Sequence, residues 1–339
     1  MNLLEWRRTK DEMTTNIPAC LNLDGIPSTS PRGDGVPYFC FDPKGAWRVS
    51  QGSRLYDIEA CCVRLHEAFK KAVMKGVNYS QLIYAIPEFV SVAGHNSEAN
   101  STRELFERLL RETAEFPEIN RFLYLYDCQH LVASIQECTK EVEQILGEFY
   151  LTFNTESFFF PPMQHDDGLR YSTSPVTTKL FAYLGFMLIR MHSLLDYTVK
   201  IAFEAEHLRQ DFSRYPKLSS GNLQYGDRKR VSFNNEAGTF FETCEFMTSV
   251  ETLRNHLIHD GLLDDMPKAY EHIKDGVAVE KFVLFPDMTN GRFDRFVNRN
   301  LFFGREDKIN LRLPGLLAEF QARQVATLER ILVPLQQHA

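Results

Sequence analysis

A chain of 339 residues with 44% hydrophobic and 24% charged residues has an ordinary globular make-up, long enough for a large core and two structural units. Its 27 Phe and 13 Tyr point to a bulky aromatic core, and a net charge of −7 argues against a surface coated in nucleic acid while leaving room for a local basic groove. The longest apolar run, residues 180–189, is far short of the roughly 20 residues that span a bilayer, so no membrane partner is expected.

The N-terminus, Met1 to Arg8, has no apolar signal core, so the seven cysteines are expected as reduced thiols of a cytoplasmic protein. None of them shows the paired C-x-x-C spacing of zinc sites, and no metal or other cofactor is expected. No Walker-type or dinucleotide glycine-rich loop is present, which leaves ATP hydrolysis and redox chemistry without support.

In chain order, Tyr38 to Phe41 and Trp47 to Val49 flank the turn signal Asp42-Pro43-Lys44-Gly45 and predict a small β-hairpin. From Leu55 the spacing becomes helical, with Ile58, Cys62, Leu65 and Phe69 on one stripe, and further helices are expected at 78–92 and 101–115. After Pro117 an amphipathic helix with Phe122, Tyr126, Leu131, Ile135, Val142, Ile145 and Phe149 runs to about Tyr150. A turn-rich stretch from Pro161 to Pro175 separates it from a second long helix at 176–208, and His165-Asp166-Asp167 within that stretch reads as loop.

From Leu208 to Asn235 the chain carries six basic residues (Arg209, Arg214, Lys217, Arg228, Lys229, Arg230) against two acids (Asp211, Asp227), the most basic long loop in the sequence. A third helix is expected at 236–259, with Phe240, Phe241, Cys244, Met247, Val250, Leu253 and Leu257 buried and Gly261 as its stop. A short helix near 266–273 and β-like text at 277–285, 292–303 and 308–313 follow, before a last helix at 316–332 ahead of Pro334. Arg292, Arg295, Arg299 and Arg305 alternate with Phe293, Phe296, Phe302 and Phe303. Stacking on single-stranded RNA would use such a pattern, but alternation on a half-buried strand is the preferred reading.

The stretch that carries chemistry is Arg254-Asn255-His256-Leu257-Ile258-His259-Asp260-Gly261. An arginine supplies a permanently charged fork for a phosphate, and a histidine titrates near neutrality and moves protons. Spacing alone says little: with 24 Arg and 10 His, chance supplies about two such pairs at gaps of about four to six residues, so position has to carry the claim. Asn255 and His259 are four apart and share a helix face, while Arg254 is turned about 100° aside. His256 and His259 have no third ligand at a recognisable spacing, and a metal-free site is expected.

An Arg, a polar residue and a His at the end of the third of four long helices resembles the HEPN superfamily (higher eukaryote and prokaryote nucleotide-binding domains), over about residues 118–339. The fold class is therefore expected as mainly α: a HEPN-like helical bundle with a small β-rich insertion at about 277–313, preceded by an additional α-rich region at 1–117 of unassigned role. His192 to Tyr197 reads like the helix that packs beside the motif in such proteins. The resemblance implies Arg254, Asn255 and His259 as catalytic residues of an endoribonuclease, a homodimer whose two helix ends meet, an RNA substrate, and a toxin or antiviral role with an antitoxin or sensor partner. His256, Arg228, Lys229 and Arg230 are weaker candidates for substrate binding. The alternative is a non-catalytic HEPN module that binds nucleotide or a partner protein.

Overall fold

The computed structural model describes residues 19–113, 118–159 and 166–338 and is mainly α. The expected turn at Pro161-Pro162, His165 and the boundary at Pro117 lie outside the described residues. The chain groups into two compact units, each assembled from three segments: residues through Ser53 with Glu141–Ile189 and Thr248–Ala318, and Arg54–Lys140 with Arg190–Met247 and the segment from Glu319. This grouping is discontinuous along the chain, whereas the sequence reading places one boundary at 117/118.

Its helices are α1 (Leu55–Val73), α2 (Tyr79–Ala85), α3 (Arg103–Glu112), α4 (Ile119–Thr155), α5 (Pro175–Glu206), α6 (Glu245–His259) and α7 (Ile309–His338). Strands β1 (Leu21–Asn22), β2 (Tyr38–Asp42) and β3 (Ala46–Val49) form one antiparallel sheet, with the expected hairpin closing at Asp42↔Ala46. A second antiparallel sheet orders β4 (Gly168–Ser172), β5 (Ala269–Lys274) and β6 (Val277–Phe282), and β7 (Met288–Thr289) pairs with β8 (Arg292–Phe293).

In the first unit the aromatic residues gather as their number suggested. Phe39 of β2 stacks on Tyr150 of α4 at 4.2 Å between ring centroids, and Phe149, Phe153 and Phe158 continue the buried cluster. Asn22 and Asn154 lock β1 to α4 reciprocally: Asn154 Oδ1 accepts from the Asn22 amide at 2.9 Å, and its Nδ2 donates to the Asn22 carbonyl at 3.0 Å. Such pairing satisfies backbone groups that burial would otherwise orphan.

Three expectations in this part of the chain are corrected. Residues 269–274 are strand β5, because Ala269, Glu271 and Ile273 alternate inward and pair with Ser172, Arg170 and Gly168 of β4. Residues 309–313 are the first turns of α7, which continues through Pro314 and Pro334 to His338. A proline in a helix orphans the carbonyl four residues back. Here the Tyr150 hydroxyl donates to that carbonyl of Asn310, which lowers the cost of Pro314. Residues 294–303 are not a strand either; apart from the Phe296–Arg299 bridge they are irregular, and Phe296 is 71% exposed, so the half-buried alternation fails.

In the second unit α1 buries Ile58, Cys62, Leu65 and Phe69, and α4, α5 and α7 contribute further buried residues. Two hydrogen bonds link buried polar side chains in it: Gln324 Nε2 donates to Thr139 Oγ1 at 2.7 Å, and Tyr124 donates to Glu204 at 2.7 Å. All seven cysteines are free thiols, and burial pushes the adjacent Cys61 and Cys62 up, Cys62 to about 12.

Two histidines of this unit, His66 and His130, sit below the usual imidazole range because burial disfavours the charged ring, and at His130 the stacked His95, 4.4 Å away between centroids, adds to the effect. The unfolded chain then takes up protons more readily than the folded one, so stability falls as pH drops through about 6.5, the ordinary histidine value. Urea unfolding at pH 7.5 and 5.5 is expected to show that loss, and a His66→Gln/His130→Gln variant to lose less between the two. An equal loss in both proteins would contradict the assignment.

Candidate functional site

Helix α6 starts at Glu245, nine residues later than expected, because 236–244 is a series of turns. Asn235 and Gly238 take positive φ (64° and 75°), and the Thr243 amide donates to Asn235 Oδ1 at 2.8 Å. Phe240 and Phe241 are buried as expected but without a helix: the Phe240 amide donates to Thr327 Oγ1 at 2.8 Å, and its carbonyl accepts from the Tyr225 hydroxyl.

Once begun, α6 buries Met247, Val250, Leu253 and then His256, a three-residue step that makes His256 the last member of the apolar stripe. His256 is only 5% exposed; its Nε2 lies 2.9 Å from the Leu262 carbonyl, to which it donates, and Phe293 meets its ring edge to face at 5.0 Å. Nδ1 lies 3.4 Å from Asp260 Oδ2, an electrostatic contact outside hydrogen-bond geometry. The amides of Asp260 and Gly261 both donate to the His256 carbonyl (2.8 and 3.0 Å), and Gly261 at φ 129° turns the chain away. His256, a weak binding candidate from sequence, is thus the residue that ties down this helix end.

Asn255 and His259 are exposed, and Arg254 is half-buried. Although Arg254 leaves the helix about 100° from Asn255, its Nη1 donates to Asn255 Oδ1 at 2.9 Å, so the guanidinium is swung onto the face that Asn255 and His259 share. The accessible groups at the end of α6 therefore include a cation, an amide and an imidazole, next to the exposed carboxylate of Asp260.

A cleft of about 980 Å³ opens at the same end of the helix, lined by His256 and Asp260 and by Arg295, Phe296, Arg299 and Phe302 among others. Arg295 and Arg299 are exposed, as is Phe296. Their loop is pinned by Phe296 and Arg299, which exchange backbone hydrogen bonds at 2.8 and 2.9 Å, and by Arg295 Nε donating to the Val297 carbonyl at 2.9 Å. Val297 between them stands at φ 53°, a conformation that costs a β-branched residue about 1–3 kcal/mol and that glycine normally fills in so tight a turn. The alternation of Arg and Phe fits a half-buried strand, but the irregular backbone here leaves Arg295, Phe296 and Arg299 exposed. Arg305 is spent on structure, paired with Asp294 at 2.9 Å.

Arg254, Asn255 and His259 belong to the first unit, and Arg228, Lys229 and Arg230 to the second, on a 3₁₀ turn at Tyr225–Arg230. Arg228 lies over the Tyr225 ring at 4.2 Å, Arg230 over Phe203 at 4.8 Å, and Lys229 is exposed. The His192 to Tyr197 segment lies on α5, where Asp196 accepts from the Tyr225 amide at 2.7 Å and holds that turn. Among the described residues, no three His, Cys, Asp or Glu side chains gather in a way that would hold a metal ion, and no helix is long and apolar enough to cross a membrane. In comparisons with known proteins the chain matches no family model, no curated protein and no solved structure.

Proposed function

We propose that this protein is a metal-independent endoribonuclease of HEPN type, which cleaves RNA by attack of a ribose 2′-hydroxyl on the adjacent phosphodiester. The observation that carries the reading is the accessible Arg254–Asn255–His259 group at the end of α6; a cleft at that helix end, lined by His256 and Asp260 and not by these three, presents Arg295, Arg299 and an exposed Phe296. His259 moves the proton, first from the attacking hydroxyl or finally to the leaving 5′-oxygen. Arg254 meets the charge that builds on the phosphorane oxygens, and Asn255 fixes the guanidinium and orients a phosphate oxygen. Arg295 and Arg299 hold neighbouring phosphates while Phe296 offers a face to a base.

In the same reading two copies of the α6 end face each other in a homodimer, one histidine acting as base while its counterpart acts as acid, in a toxin or antiviral effector. Cleavage of a mixed RNA pool should continue undiminished in excess EDTA. Complete loss of cleavage on chelation would overturn the metal-free chemistry.

A further inference from the structure

We propose that the basic cleft of the second unit is a separate binding site for the phosphate groups of a nucleotide. The cleft, of about 890 Å³, is lined by Arg209, Arg214, Lys217 and Arg230. All four are exposed, and among the described residues none has a carboxylate within ion-pair distance, in contrast to Arg48 on Glu143, Arg323 on Glu242 and Lys308 on Glu280. The one carboxylate in the lining, Asp211, accepts from the Ser213 amide at 2.9 Å and is held below its usual range by hydrogen bonds from Ser213 and, to a smaller extent, by the charge of Arg214. Four like charges around one cleft in a protein of net charge −7 repel one another unless an anion sits among them.

The loop that carries Arg209, Arg214 and Lys217 is anchored without using their charged side chains. Fully buried Glu204 accepts from the Ser220 amide and from the Tyr124 hydroxyl, both at 2.7 Å, and the Tyr124 oxygen accepts from the Arg209 amide at 3.2 Å. Tyr215 donates to Asp127 at 2.6 Å, and Asp127 also holds His95 at 3.1 Å. Anchors of this kind fix the loop backbone in advance, so that only the side chains have to be ordered when a ligand arrives.

Flat surfaces in the same cleft favour a nucleotide over a simple polyanion. His207 stacks on Phe203 at 4.1 Å and 16°, and the Arg230 guanidinium lies over Phe203. Phe203 is buried while His207 is exposed, so the imidazole is the outer layer of the stack, available to a base. Planar arginine forks beside it match phosphate oxygens.

This site is independent of cleavage at Arg254 and His259, so binding is measured in a His259→Ala background, where RNA is not consumed if the cleavage proposal holds. The probes are a fluorescent ten-nucleotide single-stranded RNA, ADP and a poly-glutamate peptide. Binding of ADP identifies a free nucleotide as ligand, and binding of RNA without ADP identifies an RNA strand; either supports the site. Arg214→Ala/Lys217→Ala should weaken that binding by at least about 10-fold and, for RNA, lower the salt slope by about 1.4, the value for two phosphate contacts on a single strand. Arg214→Lys, which keeps the charge but loses the planar fork, should bind between Arg214→Ala and the parent, and His207→Phe should bind as the parent does while His207→Ala does not. Absence of binding to both nucleotide probes, equal binding of poly-glutamate, or unchanged affinity in the double variant would overturn the proposal.

Discussion

Arg254→Ala and His259→Ala are each expected to lower RNA cleavage by at least about 10²-fold, the usual reach of one proton-transfer group or one charge-stabilising donor. Neither side chain is in the core, since His259 is exposed and Arg254 half-buried with its guanidinium on Asn255. Stability should therefore stay within about 0.5 kcal/mol of the parent. His256→Ala should behave in the opposite way. It empties a buried position and breaks the bond to the Leu262 carbonyl, at a cost of about 2 kcal/mol, before any effect on chemistry. Kinetics and urea unfolding on the three variants separate the histidine that reacts from the histidine that holds the helix end. A His259→Ala variant that cleaves normally removes the imidazole from the mechanism.

Gly147→Ala is expected to destabilise the first unit by about 2 kcal/mol, against the normal direction for a glycine inside a helix. Such a substitution ordinarily stabilises by about 1 kcal/mol. At position 147 of α4 the new Cβ would lie 2.3 Å from the Trp47 carbonyl oxygen and 3.2 Å from the Trp47 Cβ. That oxygen is backbone, and β3 is held in register by Phe41↔Trp47 and Phe39↔Val49, so it cannot step aside without breaking the sheet. Gly185 of α5 is the internal control: its added Cβ would meet only Leu257 Cδ2 at 3.7 Å, an ordinary contact, and Gly185→Ala should stabilise by up to about 1 kcal/mol. Chemical denaturation of the two variants reads both signs, and a Gly147→Ala protein as stable as Gly185→Ala would show that β3 yields.

What sequence alone could reach follows the range of the forces involved. The long helices α1, α4 and α5 and the β2–β3 hairpin are local patterns, and all were legible from apolar spacing and one turn signal. So was the end of α6 at His259, since Gly261 takes the positive φ expected of a helix stop. Strand β5 was read as helix because Ala269, Tyr270 and Ile273 fit either period. Its deciding partner, β4, lies about a hundred residues away. The start of α7 was hidden by Pro314, which reads as a boundary until the Tyr150 hydroxyl is seen on the Asn310 carbonyl. At the candidate site the common helix face of Asn255 and His259 was legible from spacing, but the inward turn of His256 and the cleft of Arg295, Phe296 and Arg299 were not. Both depend on tertiary placement of a loop whose composition resembles a strand.

The most direct test of cleavage by 2′-hydroxyl attack at Arg254 and His259 is the chemistry of the ends. RNA cut by the purified protein in EDTA should carry a 2′,3′-cyclic phosphate on one product and a 5′-hydroxyl on the other, with a 2′-deoxy substitution at the scissile position preventing the cut. Products ending in a 3′-hydroxyl and a 5′-phosphate, or cleavage that proceeds through the 2′-deoxy position, would contradict it.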